Sequence, residues 1–321
     1  MSIFKKLKFD DVSLGSVQSV DEMTVVPVIG GRRGDLAEAS EIVFQRTTNY
    51  GTMVFRNENP KKEGFVPTNI MVRGTGAQDH AMSTAGVIGK GTSKSFENAC
   101  CIEESQGGLL GSENNVQDVL PVNLRREFVD SRLRSEHDYS KLWGKIRNWL
   151  RGLKLGGTSA HLRFFYDNQT FKTSLEEFAA EFEPVEGQIG AIILFSGIPV
   201  GIEIMPSPEH WDHYWKLLIR GCYGAELLRR KQLGEITSSA LVLPDIPEGA
   251  SAEEVKTLLN DFSQHLVQQI IPMVENIKVS EQTRSIDNDG SLRTTVVTTT
   301  DGGIGNVIRQ SNEPVYLSIV L

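Results

Sequence analysis

The segment Gly187–Met205, GQIGAIILFSGIPVGIEIM, gives the clearest indication of the fold. Two apolar runs, Gly187–Phe195 and Val200–Met205, flank a turn of sequence Ser-Gly-Ile-Pro. Short apolar runs beside a turn that contains Gly and Pro are typical of paired buried strands, so the segment predicts a β-hairpin. An amphipathic helix is predicted to follow from Pro208 to about Arg230, with Ser207 as its N-cap. Two strands and a helix in succession indicate an α+β fold.

The first part of the chain is predicted to be rich in β-structure. Short β-prone runs occupy Met23–Ile29, Glu41–Thr47 and Gly51–Asn57, and glycine-containing turn sequences separate them. Further strands are predicted at Val66–Val72 and Ser95–Glu103. Together these runs indicate a meander or part of one.

Helical and β-branched patterns follow each other in the rest of the chain. Apolar residues at helical spacing predict one helix from Asp138 to Gly156 and another from Glu253 to Val274. Runs rich in β-branched residues predict the final strands at Ser291–Thr300 and Val315–Val320.

These patterns divide the chain into two predicted lobes. A β-rich, meander-like or sandwich-like N-terminal lobe over residues 1–135 is expected to pack with an α+β lobe over residues 136–321. A length of 321 residues is also compatible with one compact domain.

Composition indicates a globular protein of a reducing compartment. The chain is 39% hydrophobic and 23% charged, and its cysteines are Cys100, Cys101 and Cys222, too few and too oddly placed for a disulfide framework. Met1–Phe9 lacks an apolar run of signal-peptide length, and glycines and polar residues interrupt the apolar stretch Ile189–Ile204. We therefore expect a cytoplasmic protein with no membrane partner.

The net charge of −8 disfavours a nucleic-acid partner. The local exception is Leu124–Lys154, with nine basic and four acidic side chains. This segment indicates either a solvated helix face or a surface that contacts phosphates.

A glycine-containing loop offers the first candidate binding site. Arg73–His80 reads RGTGAQDH, in which two glycines precede an amide, a carboxylate and an imidazole. Backbone of this kind can approach a ligand closely, although a polar turn between strands has the same composition. The candidate ligand-binding residues, including one from the segment after Glu103, are Gly76, Gln78, Asp79, His80 and Gln106.

Four side chains are the candidates for catalysis: His80, Cys101, Glu103 and Glu203. A carboxylate beside a thiol raises the thiol pKa, so Cys101 needs His80 or an arginine nearby to act as a nucleophile, and otherwise indicates a buried structural cysteine. Glu203 lies on an apolar strand, where a carboxylate must be paired or functional. His210 and His213 lack a third ligand, and neither a metal nor a cofactor is predicted.

The chain resembles a family of bacterial and phage proteins, the ARG and rhodanese-phosphatase-associated protein domain, over about Leu14 to Val320. The segments that carry the resemblance, in order, are Thr24-Val-Val-Pro-Val28, Gly76-Ala-Gln-Asp-His80, Cys101-Ile-Glu103 with Gln106-Gly107, Leu142-Trp143, Gly187-Gln-Ile-Gly190, Gly201-Ile-Glu-Ile204, Trp215 and Val315-Tyr-Leu-Ser318. Ala77, Asp79 and His80 stand where the family pattern has a lysine and an asparagine-arginine pair, so a phosphate contact of those basic residues is in doubt here.

The resemblance implies a link to nucleotide or ADP-ribose metabolism, or to conflict between hosts and phages. One hypothesis is an accessory protein that binds a nucleotide-like small molecule or a partner enzyme. The alternative is a hydrolase or transferase on a nucleotide or ADP-ribose-like substrate that uses Gln78, His80, Cys101, Glu103 and Glu203. A weaker alternative is a self-assembling structural or phage component, and the oligomeric state is left open. The functional surface is predicted where the loop Gly74–His80 meets the end of the strand Ser95–Glu103.

Overall fold

The computed structural model describes residues 3–104, 107–113, 115–133, 139–155, 157, 159–236, 247 and 249–321. The helices are α1 (Ile3–Leu7), α2 (Val122–Leu133), α3 (Tyr139–Gly152), α4 (Arg163–Tyr166), α5 (Gln169–Ala180), α6 (Pro208–Lys216), α7 (Ala225–Gln232) and α8 (Ala252–Glu275), with a 3₁₀ turn at Ala39–Glu41 and a π-helix at Leu217–Gly224. Within these described ranges, no helix has the length and apolar character needed to cross a bilayer.

Strands make up the larger share of the framework, and the fold is α+β as predicted. In chain order they are β1 (Ser13–Leu14), β2 (Gln18–Val20), β3 (Met23–Ile29), β4 (Ile42–Asn49), β5 (Thr52–Asn57), β6 (Gly64–Val66), β7 (Ile70–Gly74), β8 (His80–Met82), β9 (Gly86–Ile88), β10 (Ser93–Phe96), β11 (Ala99–Cys101), β12 (Asn115–Val119), β13 (Gln188–Phe195), β14 (Ile198–Ile204), β15 (Val279–Glu281), β16 (Asp287–Asp289), β17 (Leu292–Thr299), β18 (Ile304–Gln310) and β19 (Glu313–Val320).

One large antiparallel sheet runs in the order β1-β3-β13-β14-β19-β18-β17-β15, with β2 added beside β3 and β16 beside β17. The hairpin of β13 and β14 is therefore confirmed. It lies inside the sheet, where β13 also pairs with β3 and β14 also pairs with β19. This sheet joins strands from both sides of residue 135.

Both faces of the large sheet are buried, which explains why the central hairpin is apolar without alternation. Ile192 packs on one face in a cluster that includes Val267 of α8. Its neighbour Ile193 points to the opposite face, where the cluster includes Trp211 of α6. The predicted helix after the hairpin begins at Pro208, and the Ser207 side chain accepts a hydrogen bond from the backbone N–H of His210, as an N-cap does.

Smaller sheets cover one side of this framework. They have the orders β10-β5-β4, β11-β8-β7-β12 and β6-β9. The prediction of one strand from Ser95 to Glu103 is wrong, because β10 and β11 belong to different sheets and β11 ends at Cys101. The prediction at Val66–Val72 is also wrong, since two strands flank Asn69, whose φ of 58° takes the chain out of the extended conformation.

The helix after the hairpin contains an unpredicted π-helix. α6, the π-helix and α7 run continuously from Pro208 to Gln232, and eight residues in the middle have the wider π geometry. A π-helix is rare and occurs frequently at functional sites because it redirects side chains and leaves backbone groups for other partners. In this chain it directs Arg220 and Tyr223 towards buried carboxylates, as described below.

Candidate functional site

The predicted binding loop connects β7 to β8 and is exposed only at its tip. Thr75 and Gly76 face solvent, and Gly76 has a φ of 74°, a conformation that favours glycine. The side chains of Gln78, Asp79 and His80 are instead buried, so they are not the exposed loop donors that the sequence suggested. Gln106, the fifth predicted ligand-binding residue, lies outside the described residues.

Three of the predicted catalytic residues lie together beneath this loop. His80 on β8 is the register partner of Cys101 on β11. The backbone N–H of Asp79 donates to Oε2 of Glu103 at 3.2 Å, and the Cys101 thiol donates to the Glu103 carbonyl oxygen at 3.0 Å. The structure thus brings His80, Cys101 and Glu103 together at the loop. Cys101 and Glu103 do not, however, lie on one strand, because β11 ends at Cys101.

Arg163 on α4 organises this cluster and was not predicted. Its guanidinium donates from Nη2 to Oδ1 of Asp79 at 2.6 Å and from Nε to Oδ2 at 3.2 Å. Nη2 also reaches the carbonyl oxygens of Gly74 and Ala77, and Oε2 of Glu103 at 3.2 Å. The arginine therefore ties both ends of the loop to two carboxylates. No sequence pattern indicates this role, because Arg163 lies more than eighty residues beyond the loop along the chain.

His161 gives the cluster its most exposed imidazole. Its Nδ1 lies 3.1 Å from Oε1 of Glu103, and its side chain is 15% exposed. The neighbouring Phe164 ring lies 5.1 Å away between centroids and is largely exposed. A proton donor or acceptor thus reaches the surface beside the two buried carboxyl groups.

Burial determines the ionisation of this cluster. It raises the pKa of Asp79 to about 6, although the Arg163 guanidinium acts in the opposite direction. Burial likewise raises the pKa of Cys101 to about 11 and lowers the pKa of His80. The thiol therefore stays protonated at neutral pH, which argues against Cys101 as a nucleophile and favours the alternative of a structural cysteine.

Glu203 belongs to a separate buried network in the large sheet. Its Oε1 accepts hydrogen bonds from Nη1 of Arg125 at 2.6 Å and from the Tyr223 hydroxyl at 2.8 Å. Arg125 also donates to the Ser318 hydroxyl. All four side chains are buried, so the structure accounts for Glu203 as a paired carboxylate and does not bring it to the other catalytic candidates.

His210, one of the two histidines on α6, is bound within the protein. Nδ1 of His210 lies 2.9 Å from the Ser207 hydroxyl, and Nε2 lies 2.9 Å from the Ala37 carbonyl oxygen. Both ring nitrogens of His210 thus have protein partners. No group of three or more metal-ligating side chains occurs among the residues that the structure describes.

A cleft next to the loop is lined by three cationic side chains, Arg73, Lys172 and Arg220, and by three carboxylates, Asp118, Asp167 and Glu176. We call it the Asp118 cleft; it has a volume of about 410 Å³, and its lining includes Arg73, Asp118, Tyr166, Asp167, Lys172 and Arg220. Arg73 is the first residue of the predicted binding segment. None of the side chains of the Asp79 and Glu103 cluster lines this cleft.

Two arginines share one fully buried carboxylate at the floor of the Asp118 cleft. Nη2 of Arg73 lies 3.4 Å from Oδ2 of Asp118, and Nη2 of Arg220 lies 3.2 Å from the same atom. Arg73 also stacks over the Tyr166 ring at 4.8 Å from its centroid and pairs with Asp167 at 2.9 Å. The two guanidinium groups are thus balanced by the two carboxylates that hold them in place. Burial raises the pKa of Asp118, which the two guanidinium groups oppose.

The π-helix explains how Arg220 reaches this floor. Its residue Gly221 packs so closely on Asp118 that a Cβ atom there would overlap the carboxylate. The Gly221 carbonyl oxygen accepts a hydrogen bond from the Tyr166 hydroxyl at 3.0 Å. The π geometry thus lets β12, α4 and the helix meet around one carboxylate.

The fold and the site define a strand-rich α+β protein with two networks of buried, paired charges and a separate charged cleft. The chain belongs to the family of the ARG and Rhodanese-Phosphatase-superfamily-associated Protein domain, whose sequence profile matches residues 11–301. The family resemblance of the sequence is thereby confirmed. No curated protein and no solved structure matches the chain.

Proposed function

We propose that this protein is an accessory protein that binds a phosphate-bearing, nucleotide-like small molecule in the Asp118 cleft. The family name links the chain to ADP-ribosylglycohydrolase and rhodanese-phosphatase systems. The observation that carries the proposal is the pair of guanidinium groups, Arg73 and Arg220, held by one buried carboxylate at the floor of a cleft. Guanidinium groups fixed in this way are suited to phosphate oxygens, because each offers up to five N–H donors in a planar fork.

Arg220 retains donors for such a ligand. In the described part of the chain its hydrogen bonds come only from Nη2, to the two oxygens of Asp118. The side chain is 27% exposed and lines the cleft, and within the described residues its Nε and Nη1 atoms donate no hydrogen bond to the protein. Lys172 on the exposed rim adds a third cation that can contact a phosphate without holding the fold together.

The test is calorimetric titration with inorganic pyrophosphate and ADP. We expect saturable binding that weakens as salt is added, because salt screens charge interactions at a partly exposed site. Lys172→Gln should weaken binding about tenfold, the loss of one charge-assisted hydrogen bond. Lys256→Gln, on the exposed face of α8, is the matched control and should leave binding unchanged.

Arg220→Gln should abolish binding, and its melting temperature must be measured because Asp118 loses a partner. Absence of binding by the wild-type protein would overturn the proposal. Equal effects of Lys172→Gln and Lys256→Gln would also exclude this cleft as the binding site.

A second candidate function is a hydrolase or transferase at the Asp79 and Glu103 cluster. The observation that favours it is the Asp79 carboxyl group, whose pKa of about 6 lets it give and take a proton near neutral pH, next to Glu103, which the partly exposed imidazole of His161 contacts. Incubation with NAD and with ADP-ribose, followed by mass spectrometry, tests it. Product from the wild-type protein and none from Asp79→Asn would support catalysis. If neither protein gives product, catalysis is excluded and only the binding function remains.

A further inference from the structure

A second cleft lies on the other side of β12. We call it the His213 cleft; its volume is about 460 Å³, and its lining includes Phe44, Asn115, Gln117, Asp212, His213 and Lys216. Successive side chains of a strand point to opposite faces. Accordingly Asn115 and Gln117 line the His213 cleft, whereas Val116 and Asp118 line the Asp118 cleft.

The helix after the hairpin also lines both clefts. Asp212, His213 and Lys216 face the His213 cleft, and Arg220 faces the Asp118 cleft. Asp212 and Lys216 are four residues apart and lie on one face of α6, and the π-helix that follows it places Arg220 at the other cleft. The two clefts are therefore neighbours that share a strand and a helix as walls.

The chemistry of the two clefts differs in a complementary way. The Asp118 cleft has guanidinium groups at its floor. The His213 cleft has two amides, a carboxylate, an imidazole and the Lys216 ammonium group beside an apolar wall that includes Phe44 and Leu217. Amides and carboxylates can form hydrogen bonds with the donors and acceptors of a base and with the hydroxyl groups of a ribose. Apolar walls can pack against the faces of a base.

From this arrangement we infer that the ligand is a nucleoside diphosphate or a conjugate of one, with its phosphates in the Asp118 cleft and its nucleoside in the His213 cleft across β12. The inference rests on the proposed function and adds the second half of the site. It assigns roles in ligand recognition to Gln117, Asp212 and His213.

Titrations with inorganic pyrophosphate, with ADP, GDP, UDP and CDP, and with the nucleosides alone test the inference. At least one nucleoside diphosphate should bind about tenfold or more tightly than pyrophosphate, the factor that one or two net hydrogen bonds supply. Gln117→Ala and Asp212→Asn should remove that advantage and leave pyrophosphate binding unchanged. Lys172→Gln should weaken pyrophosphate and nucleoside diphosphates alike, and Lys256→Gln should affect neither.

The outcomes separate this inference from the proposed function. If pyrophosphate binds and Lys172→Gln weakens it, but no nucleoside diphosphate binds more tightly, the His213 cleft does not hold a nucleoside and only the inference fails. If the advantage is present but survives Gln117→Ala and Asp212→Asn, the nucleoside lies elsewhere and the inference fails again. If neither pyrophosphate nor any nucleotide binds, both fail.

Discussion

At the scale of single residues, the fold changes the acid strength of the Asp79 side chain. The residue is 1% exposed, its carboxyl group pairs with Arg163, and its backbone N–H donates to Glu103. Burial raises its pKa to about 6 from the usual 3.8, so the folded state retains a proton that the unfolded chain releases between these pH values. The contribution of this group to stability is therefore present below about pH 4 and is lost as the pH rises to about 6.

Asp79→Asn is expected to make this effect measurable. The amide cannot ionise, so the variant should gain stability relative to the wild-type protein as the pH rises from 4 to 7, by up to about 3 kcal/mol for a shift of two pKa units. Urea unfolding of both proteins over this pH range measures the difference. Asp261→Asn, which removes an exposed carboxyl group of α8, is the control for the pH series. A difference between Asp79→Asn and wild type that stays constant with pH would contradict the raised pKa.

The three cysteines are expected to differ sharply in reactivity. Burial raises the pKa of Cys101 to about 11 and that of Cys222 to about 12, whereas Cys100 is only half-buried. Iodoacetamide attacks thiolates, so at pH 8 it should modify Cys100 in the folded protein and leave the other two intact. Peptide mass mapping measures the modification, with urea-unfolded protein as the control in which all three react. Rapid labelling of Cys101 would restore it as a candidate nucleophile.

The sequence could identify part of the candidate site and not the rest, for a physical reason. The loop residues Asp79 and His80 stand out because a polar run between apolar strands is visible locally. Arg163 and Arg220 do not, because each acts through carboxylates distant along the chain, Asp79 and Asp118. Paired burial of charges depends on tertiary contacts, and neither spacing nor composition records them.

At the scale of elements, the central hairpin gives the clearest test of the packing argument. Ile192 on β13 is fully buried between the sheet and α8, whereas Ile198 at the start of β14 is 68% exposed. Ile192→Ala should lower the free energy of unfolding by about 2–5 kcal/mol, through lost burial and the cavity left behind. Ile198→Ala in the same hairpin is the matched control and should change it by less than about 0.5 kcal/mol. Similar losses from both variants would refute the burial assignment.

Elements with strong local patterns were predictable and those fixed by tertiary context were not. The hairpin and α8 follow from apolar patterns that extend over their whole length. The sequence did not reveal that the predicted Ser95–Glu103 strand is divided, because the division results from pairing with two different sheets. The strand β18 was also missed, because Ile304–Gln310 is a short mixed sequence that follows a glycine-rich turn. The π-helix has no sequence pattern of its own that would have distinguished it from α6 and α7.

At the scale of the whole molecule, both strand pairing and buried ion pairs join the residues before and after the predicted lobe boundary at residue 135. β3 pairs with β13 over seven register positions, from Gln188 and Ile29 to Phe195 and Met23. The buried Arg125 pairs with Glu203, and the buried Asp118 pairs with Arg220. Separation of the two parts would expose apolar strand faces and leave buried charges without partners, which costs several kcal/mol for each pair.

We therefore expect the chain to unfold in one cooperative transition rather than as two lobes. All four tryptophans, Trp143, Trp149, Trp211 and Trp215, lie after residue 135, so their fluorescence reports only that part, whereas far-ultraviolet circular dichroism reports the whole chain. The two signals should give the same urea midpoint, because loss of either part removes the strand partners and counter-ions of the other. Fragments 1–135 and 136–321, expressed separately, should lack a cooperative transition. Distinct midpoints for the two signals, or a fragment that unfolds cooperatively alone, would instead establish two independently stable lobes.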